Sequence, residues 1–393
     1  MWSLLIGVGF FLLSHPRDLF PVLTTSLWRL AALSVVVVLI DVRRVRWSAP
    51  PWTILLFLGI CAASVLWSVG PSDTERSVGL YGAIALFACL VVANTETPAL
   101  LRGVIWGALI VAGIALWAVW TERIGAGGPI GVNPVVGVHG NRNVLSYTLF
   151  IGLCAVLCYR PRGRLKLLRL IVVFSVVLGT LVAARSGTGF VSAAVVIVGA
   201  IAFEFVRRLN PFATVRSRVI GCSLVAAAFL VSLASFGTIS ELLGKTGDFS
   251  GRMPVWSAIV EVWSDAPVGG YGWGAIWPYS WFHPQVTPQK WNIDQKAGLW
   301  YAHGHNSVFD LLPQLGVVGV VAFVLIVAVA VRWVLVSLDA VEFSTVRWIA
   351  VGILGFVVYS ITEPMLAVPV GWFLLVILAA DAQRLAHSRR LAR

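Results

Sequence analysis

Charged side chains are scarce in this sequence. Only 12% of its 393 residues are Asp, Glu, Lys or Arg, whereas 59% are hydrophobic. Soluble domains carry about 25% charged residues, so this chain has too little polar surface to fold in water. Its mean hydropathy is +0.90, and its apolar residues form long blocks instead of alternating with polar ones. The scarcity of charge therefore excludes a soluble protein and indicates membrane-spanning helices.

Cysteine is scarce as well. All five cysteines lie within apolar blocks, and an odd number without a partner in a polar loop argues against a disulfide framework. We interpret Cys154 and Cys158 as helix-packing residues and not as half of a metal site. The sequence also lacks internal repeats and low-complexity tracts, which excludes a repeat architecture.

The apolar blocks predict an all-α polytopic membrane protein of about twelve transmembrane helices with one large extracytoplasmic loop. A span needs roughly 20 apolar residues. The first block is short, but no basic segment precedes it as a signal peptide requires, so we predict a true helix. Residues 1–236 would hold nine spans, 237–305 the loop with its short helices, and 306–393 three spans and a cytoplasmic tail. The predicted spans are 1–13, 19–40, 52–69, 77–93, 99–120, 142–159, 167–184, 188–206, 217–236, 306–336, 345–361 and 364–381.

The net charge of +12 is unevenly distributed across this topology. Of the 29 Lys and Arg residues, 19 lie on the side where the chain begins, nine lie on the opposite side, and Arg29 lies within a span. By the positive-inside rule both termini are cytoplasmic. The basic excess thus indicates orientation and lipid contact, and we expect no nucleic-acid partner.

The predicted loop is rich in tryptophan, with seven of the 18 tryptophans between residues 237 and 305. A loop of this length is usually functional. Its tryptophans suit an aromatic belt at the membrane interface, and they equally suit stacking against sugar rings. Within the loop we expect a helix from about Arg252 to Asp265, capped by Ser250, lying amphipathically on the membrane surface.

Five of the six histidines lie on the outer side, together with a few arginines. His303 and His305 lie where the loop re-enters the membrane, and a histidine there suits a general base, a metal ligand or a simple interfacial hydrogen bond. No spaced set of further ligands accompanies them, so we predict no metal. Arg185 and Arg252 lie at outer helix ends, where a guanidinium either snorkels to headgroups or binds phosphate oxygens. Arg142 is a weaker third candidate.

Four segments, in order, resemble the O-antigen ligase and polymerase superfamily of bacterial membrane glycosyltransferases. Each motif is short, but all four lie on the outer side. Pro267 continues the third segment, and Gly316 and Gly319 follow the fourth. The segments are Gly140-Asn-Arg-Asn143, Ala184-Arg-Ser-Gly187, Ser250-Gly-Arg-Met-Pro-Val-Trp256 with Gly269-Gly-Tyr-Gly-Trp-Gly274, and His303-Gly-His-Asn306.

The resemblance implies a GT-C-like fold in the cytoplasmic membrane with its active site on the extracytoplasmic face. It implies transfer of a glycan from an undecaprenyl-diphosphate carrier to an acceptor hydroxyl on a glycan, lipid or protein, inverting and without cofactor. His305 would be the base, His303 and Asn306 would orient the base or the acceptor, and Arg185 and Arg252 would clamp the diphosphate. The substrate-binding candidates are Arg142, Asn143, Asn306, Trp256, Trp273 and Tyr301.

Three positions depart from the family pattern: Gln314 replaces a common Glu, Asp310 replaces a common Gln, and Pro313 interrupts the helix and is expected to kink it. These departures bear on the acceptor chemistry. A polysaccharide polymerase of the same superfamily is an open alternative, since it differs only in its acceptor. A lipid-linked glycan flippase is another, although the two-half pseudo-repeat typical of transporters is absent. A purely structural membrane subunit is the third.

Overall fold

A computed structural model of the protein describes residues 2–14, 46–121, 134–209, 252–277, 286–337 and 343–391. Within these residues the chain is all-α, as predicted, and contains no strand. Short 3₁₀ turns follow α2 at Ser64–Trp67 and precede α5 at Gly137–His139. The α-helices are α1 Trp2–Leu13, α2 Trp52–Ala63, α3 Pro71–Asn94, α4 Thr97–Trp120, α5 Arg142–Cys158, α6 Lys166–Ala183, α7 Gly187–Leu209, α8 Arg252–Trp263, α9 Pro288–Ala297, α10 Ser307–Val336, α11 Phe343–Ser360 and α12 Pro369–Leu391.

Seven of the described helices are long and apolar enough to cross a membrane: α3, α4, α6, α7, α10, α11 and α12. Three shorter apolar helices, α1, α2 and α5, correspond to further predicted spans. The predicted spans 19–40 and 217–236 lie outside the described residues, as do 237–251 and 278–285 of the predicted loop. The protein is a membrane protein, and the count of twelve spans stays a prediction.

Small residues let the helices of the bundle approach closely. α4 packs along α1 and α5, and a Cβ on Gly103 would lie 2.5 Å from the Ile6 side chain. α11 is central, because it contacts α5, α7, α10 and α12. In a bilayer, helix association depends on this kind of van der Waals packing, since lipid tails offer no hydrophobic driving force.

Short links between consecutive helices make their directions alternate, so two ends of the bundle are defined. Residues 184–186 and 361–368, together with the first turns of α5 and α10, lie at one end, which we call the site end. The links 95–96 and 159–165 lie at the other. There Glu204 on α7 accepts Arg160 at 3.1 Å and lies 3.6 Å from Arg347.

Helix α10 is interrupted near the site end, but at a different residue from the one expected. The break is at Gly316, with φ 58° and ψ −157°, whereas Pro313 remains within the helical segment. A side chain at Gly316 is excluded because its Cβ would lie 2.3 Å from the Val268 carbonyl oxygen. The expected kink thus exists, and its cause is a left-handed glycine that allows close backbone approach.

The glycine-rich run after α8 supplies hydrogen bonds that the broken helix α10 lacks. The amides of Tyr271 and Gly272 donate to the carbonyls of Pro313 and Gln314, each at 2.9 Å. In return, the amides of Val317 and Val318 donate to carbonyls of residues 267 and 268 at 2.9 and 3.2 Å. Non-helical backbone is tolerated at membrane depth only where protein satisfies it. This run, residues 266–274, therefore bridges the break by hydrogen bonds, and we call it the splint.

The predicted helix 364–381 begins later than expected. Residues 361–368 form a turn in which the Pro364 carbonyl accepts the amides of Ala367 and Val368 at 2.8 and 3.2 Å, and α12 starts at Pro369, a position where the missing N–H costs nothing. The apolar character of Met365 to Val368 made this turn resemble a helix. Its consequence is that Glu363 lies in a buried turn at the site end.

Helix α8 also differs from its predicted setting. Its apolar stripe of Val255, Ile259 and Val262 is buried, and the helix packs on α9 and α10. The prediction that this stripe lies on the membrane surface was wrong for that face. The stripe anchors α8, and with it Arg252, to α10, the helix that begins directly after the histidine segment.

Candidate active site

Glu363 is the centre of a polar cluster at the site end. Its side chain is 2% exposed. One carboxylate oxygen, Oε1, accepts the Arg252 guanidinium at 3.1 Å and the Asn143 amide at 3.0 Å. The other, Oε2, lies 3.8 Å from Nδ1 of His305 and 4.0 Å from Nε2 of His303. Four residues distant in sequence therefore meet on a single carboxylate.

Arg252 begins α8 and is nearly buried, with 8% of its surface exposed. Nη2 pairs with Glu363, whereas Nη1 has no hydrogen-bond partner among the described residues. A buried donor without a partner carries a desolvation cost. The nitrogen is thus prepared for an acceptor such as a phosphate oxygen, which a guanidinium binds well.

The two histidines differ in what their rings do. The backbone N–H of His305 donates to Nδ1 of His303 at 3.2 Å, which puts the proton of the neutral His303 ring on Nε2, facing Glu363. The two rings lie edge to face with centroids 4.1 Å apart. His303 therefore supports the His305 backbone, and the imidazole of His305 is the one left for chemistry.

Backbone strain marks the same place. Among the described residues, the non-glycine residues with positive φ are Arg185 and His305, each at φ 50°. This left-handed conformation costs an L-residue roughly 1–2 kcal/mol, and such strain clusters at functional sites. Both residues had been singled out from sequence alone, so a second and independent feature now distinguishes them.

Asparagines connect the cluster to the helix ends. Asn306 caps α10 through Oδ1, which accepts the amides of Val308 and Phe309, while its Nδ2 donates to the Ile361 carbonyl at 2.8 Å. Asn143 also accepts the hydroxyl of Ser186 at 3.2 Å. These bonds tie the histidine segment to the 361–368 turn, and α5 to the link between α6 and α7.

Of the aromatic candidates, two lie beside the histidines. Trp256 stacks on Phe309 with ring centroids 4.8 Å apart and donates its indole N–H to the Gly304 carbonyl at 2.8 Å. Tyr301 meets the His305 ring edge to face at 6.0 Å. Trp273, by contrast, is 1% exposed and packs between Phe57 and Tyr81 in the interior, so the structure does not bring it to the cluster.

The two remaining arginine candidates also lie at the site end. Arg185 is exposed in the link between α6 and α7, next to Ser186, and Arg142 is the half-buried first residue of α5, next to Asn143. Both are therefore one residue from the hydrogen bond that joins Ser186 to Asn143.

Burial and neighbouring charges determine the protonation states of Glu363 and His303. Burial by itself raises the pKa of the Glu363 carboxyl, but the facing His305 ring, Arg252 and His303 outweigh it, so the net pKa is lowered and Glu363 is ionised. Burial lowers the pKa of His303 to about 3, helped by the neighbouring His305 and Arg252. At neutral pH the cluster thus contains a carboxylate, a guanidinium and a neutral His303.

His303, His305 and Glu363 offer three metal-ligand atoms within 4.8 Å of one another. Two features disfavour a resident metal ion. Nε2 of His303 holds the ring proton as long as Nδ1 accepts the His305 amide, and Arg252 already supplies a positive charge to the same carboxylate. The arrangement suits proton transfer and anion binding better than metal coordination.

Residues farther along α10 hold the histidine segment in place. Asp310 accepts the amide of Gly304 at 2.8 Å, and Gln314 accepts the amide of Gly274 at 2.7 Å. These are two of the three positions that depart from the family pattern, and both accept hydrogen bonds from backbone amides. We therefore interpret the departures as supports of the loop geometry.

Comparison with known proteins agrees with the motifs. Residues 172–324 match the family model described as O-antigen ligase. This segment of the chain is similar to the O-antigen ligase family. The exopolysaccharide production protein ExoQ of Rhizobium meliloti (strain 1021) is 22% identical to it over 306 residues, covering 75% of this chain and 67% of that protein. Both similarities agree with the family resemblance that the four motifs carry.

The segment matched to the O-antigen ligase family includes Arg185, Arg252 and both histidines, but it ends before Glu363. Sequence reasoning missed this glutamate. The available signal was its isolation, since Glu363 is the single acidic residue between Glu342 and Asp381. An ionisable residue among apolar spans is a functional candidate by default.

Proposed function

We propose that this protein transfers a glycan from an undecaprenyl-diphosphate carrier to an acceptor hydroxyl on the outer face of the cytoplasmic membrane. The observation that carries the proposal is the meeting of His305, Arg252 and Asn143 on the buried carboxylate of Glu363. A base and an anion-binding group lie side by side there, which is what transfer from a diphosphate donor requires.

In this mechanism His305 is the general base. Its Nδ1 faces Glu363, so Nε2 is the nitrogen that takes the proton from the acceptor hydroxyl. The acceptor oxygen then attacks the anomeric carbon opposite the leaving group, and the bond between that carbon and the diphosphate oxygen breaks. Inversion at the anomeric carbon follows, with no metal ion or cofactor in any step.

The departing diphosphate leaves with the bonding electron pair and gains negative charge. Arg252 meets this charge through Nη1, and Arg185 supplies a second guanidinium from the link between α6 and α7. Arg252 is held by Glu363 before substrate binds, which limits the ordering cost of the clamp. His303 and Asn306 orient the histidine segment, and Arg142, Asn143, Trp256 and Tyr301 contribute to substrate binding.

Two acceptor types suit this chemistry. A ligase transfers the glycan to a lipid or protein hydroxyl, and a polymerase transfers it to another glycan. The relative ExoQ is named for exopolysaccharide production, and this name supports polymerisation as the second candidate beside ligation.

The direct test is reconstitution. The full-length protein in liposomes is incubated with lipid-linked oligosaccharide extracted from the source bacterium and with candidate lipid, protein and glycan acceptors. Mass spectrometry should detect a covalent glycan–acceptor product together with released undecaprenyl diphosphate. Movement of the lipid-linked glycan between leaflets without any covalent product would instead identify a flippase.

A further inference from the structure

Trp300 has an unusual setting at the edge of the site. Its side chain is 65% exposed, yet the Lys290 ammonium lies 5.3 Å from the centroid of its ring. The same ammonium lies 6.0 Å from the centroid of Trp277, which is fully buried. The exposed indole of Trp300 therefore has the Lys290 ammonium against its ring, and the same ammonium lies against the buried ring of Trp277.

The backing cation is expensive to bury. Lys290 is 1% exposed and forms an ion pair with Asp294 one helical turn later. Buried charges are stable only when they are paired, as this one is. Its attraction for the indole face is of the cation–π type, and it fixes the position of Trp300 before any ligand arrives.

The same ion pair positions the segment that leads to the histidines. The second carboxylate oxygen of Asp294 accepts the backbone N–H of Tyr301 at 3.2 Å. The ring of Tyr301 then meets the His305 ring edge to face. Trp300 is consequently connected to His305 through one residue and one ring contact, at the rim of the candidate active site.

We propose that Trp300 is a stacking platform for a pyranose ring of the glycan, next to Tyr301 and His305. This inference rests on the proposed function, because it assigns a binding subsite within that site. A pyranose presents a face of C–H groups that packs on an aromatic plane, and an immobilised indole offers such a plane with little ordering cost.

An aromatic side chain that inserts into the membrane interface is the competing role for Trp300. The adjoining helix favours the glycan instead. Helix α9 exposes Asn292, Gln295 and Lys296 around a single exposed aromatic, Trp291, and buries Ile293, so its open face is mainly polar. A membrane-inserting surface needs a continuous apolar face, whereas a glycan-binding rim is polar with isolated aromatic planes.

The test compares Trp300→Leu with Trp300→Phe in the full-length protein in nanodiscs. Leucine keeps apolar bulk but has no aromatic face, whereas phenylalanine keeps a smaller ring. Trp291→Leu is the matched control, because Trp291 is 58% exposed on the neighbouring helix. The probes are lipid-linked oligosaccharide extracted from the source bacterium and the free oligosaccharide released from it by mild acid.

We expect Trp300→Leu to weaken binding of the free oligosaccharide roughly five- to tenfold, with Trp300→Phe intermediate and Trp291→Leu unchanged. In turnover, the KM should rise and kcat should change little. Equal binding by the Trp300→Leu and Trp291→Leu variants overturns the platform. So does a Trp300→Leu variant that keeps saccharide binding but loses association with phosphatidylglycerol vesicles, which would show a membrane role.

The binding arm needs no turnover, so the two proposals fail separately. A wild-type protein that binds the saccharide through Trp300 but forms no covalent product keeps the platform and refutes the transfer reaction. A wild-type protein that forms product with saccharide binding unaffected by any change at Trp300 does the reverse.

Discussion

Two buried or partly buried glutamates lie at opposite ends of the bundle, and each pairs with arginine. The side chain of Glu204 is 16% exposed and that of its partner Arg160 is 59% exposed. The side chain of Glu363 is 2% exposed and that of its partner Arg252 is 10% exposed. Among the described residues, Nη1 of Arg252 has no hydrogen-bond partner, but neither has Nε of Arg347 beside Glu204. An ion pair with a spare donor thus does not by itself mark a site.

What separates the two ends is chemistry beyond the ion pair. The Glu363 end adds two imidazole rings within 4.0 Å of the carboxylate, and Arg185 and His305 have left-handed backbones there. Glu204 on α7 connects Arg160, in the link after α5, with Arg347 near the start of α11. Such contacts between helix ends suit a structural role. The following variants test this distinction, beginning with the largest expected effect.

Replacing His305 with Ala should lower glycan transfer by roughly 10²- to 10⁴-fold, the usual contribution of a general base. Expression level and carrier binding should persist, because His305 is partly exposed and Arg252 remains. The measurement is product formation by the reconstituted protein. His387→Ala, an exposed histidine on α12, is the control with unchanged activity. Near-normal turnover in His305→Ala would refute the assignment of the base.

Glu363→Gln and Glu204→Gln compare the two carboxylates directly. Glu363→Gln should lower transfer roughly a hundredfold or more, since a neutral amide no longer orients the base or stabilises its protonated form. Glu204→Gln should keep full activity and lose no more than about 1 kcal/mol of stability, as expected for a partly exposed ion pair. Equal losses in the two variants would contradict the assignment of the site to one end.

The pKa of His303 makes this end sensitive to acid. An unfolded histidine has a pKa of about 6.5, and the folded pKa is about 3, so the unfolded state binds the proton more readily as pH falls between these values. The lowered pKa of Glu363 acts in the same direction, because its stabilisation is lost as pH falls through the folded value.

His303→Gln should therefore reduce the loss of stability on acidification. Between pH 7.5 and pH 5 it should retain about 1–2 kcal/mol that the wild type loses. Thermal unfolding in detergent at the two pH values measures this difference, and His387→Gln is the control. An unchanged pH dependence would show that His303 takes up no extra proton on unfolding.

Arg185→Gly should change stability the least of these variants. It tests whether the strained backbone of Arg185 is kept for the sake of glycan transfer. Glycine adopts φ 50° without the steric cost of a side chain, so the variant should be more stable by roughly 0.5–1 kcal/mol. It should also transfer glycan less well, because one guanidinium of the proposed clamp is gone. A variant that is more stable and equally active would remove Arg185 from the clamp.

Local patterns made much of the fold and part of the site predictable. Apolar blocks located the long and the short apolar helices, and short motifs selected Asn143, Arg252, His303 and His305, because each motif lies at a helix end. Glu363 was not predictable in its role, since its partners Asn143 and Arg252 are 220 and 111 residues away. Contacts of this range depend on helix packing, which a single sequence does not display.

Two further differences have local physical causes. The interruption of α10 was expected at Pro313 but lies at Gly316, because the carbonyls freed there are satisfied by the splint. Trp273 was selected as a loop tryptophan, but its glycine-rich surroundings fold inward and pack it on Phe57. The sequence pattern places a tryptophan in a loop, but the geometry of the turns decides whether its ring faces solvent or the interior.

The splint across Gly316 has a mechanical consequence. The first turns of α10, which begin directly after the histidines, are hydrogen-bonded to the run 266–274 at the point where the helix itself is broken. The same run is also hydrogen-bonded to Val317 and Val318 beyond the break, so it ties the backbone that follows His305 to the transmembrane part of α10. The base is thus held in the membrane frame by a segment distant in sequence as well as by its own helix.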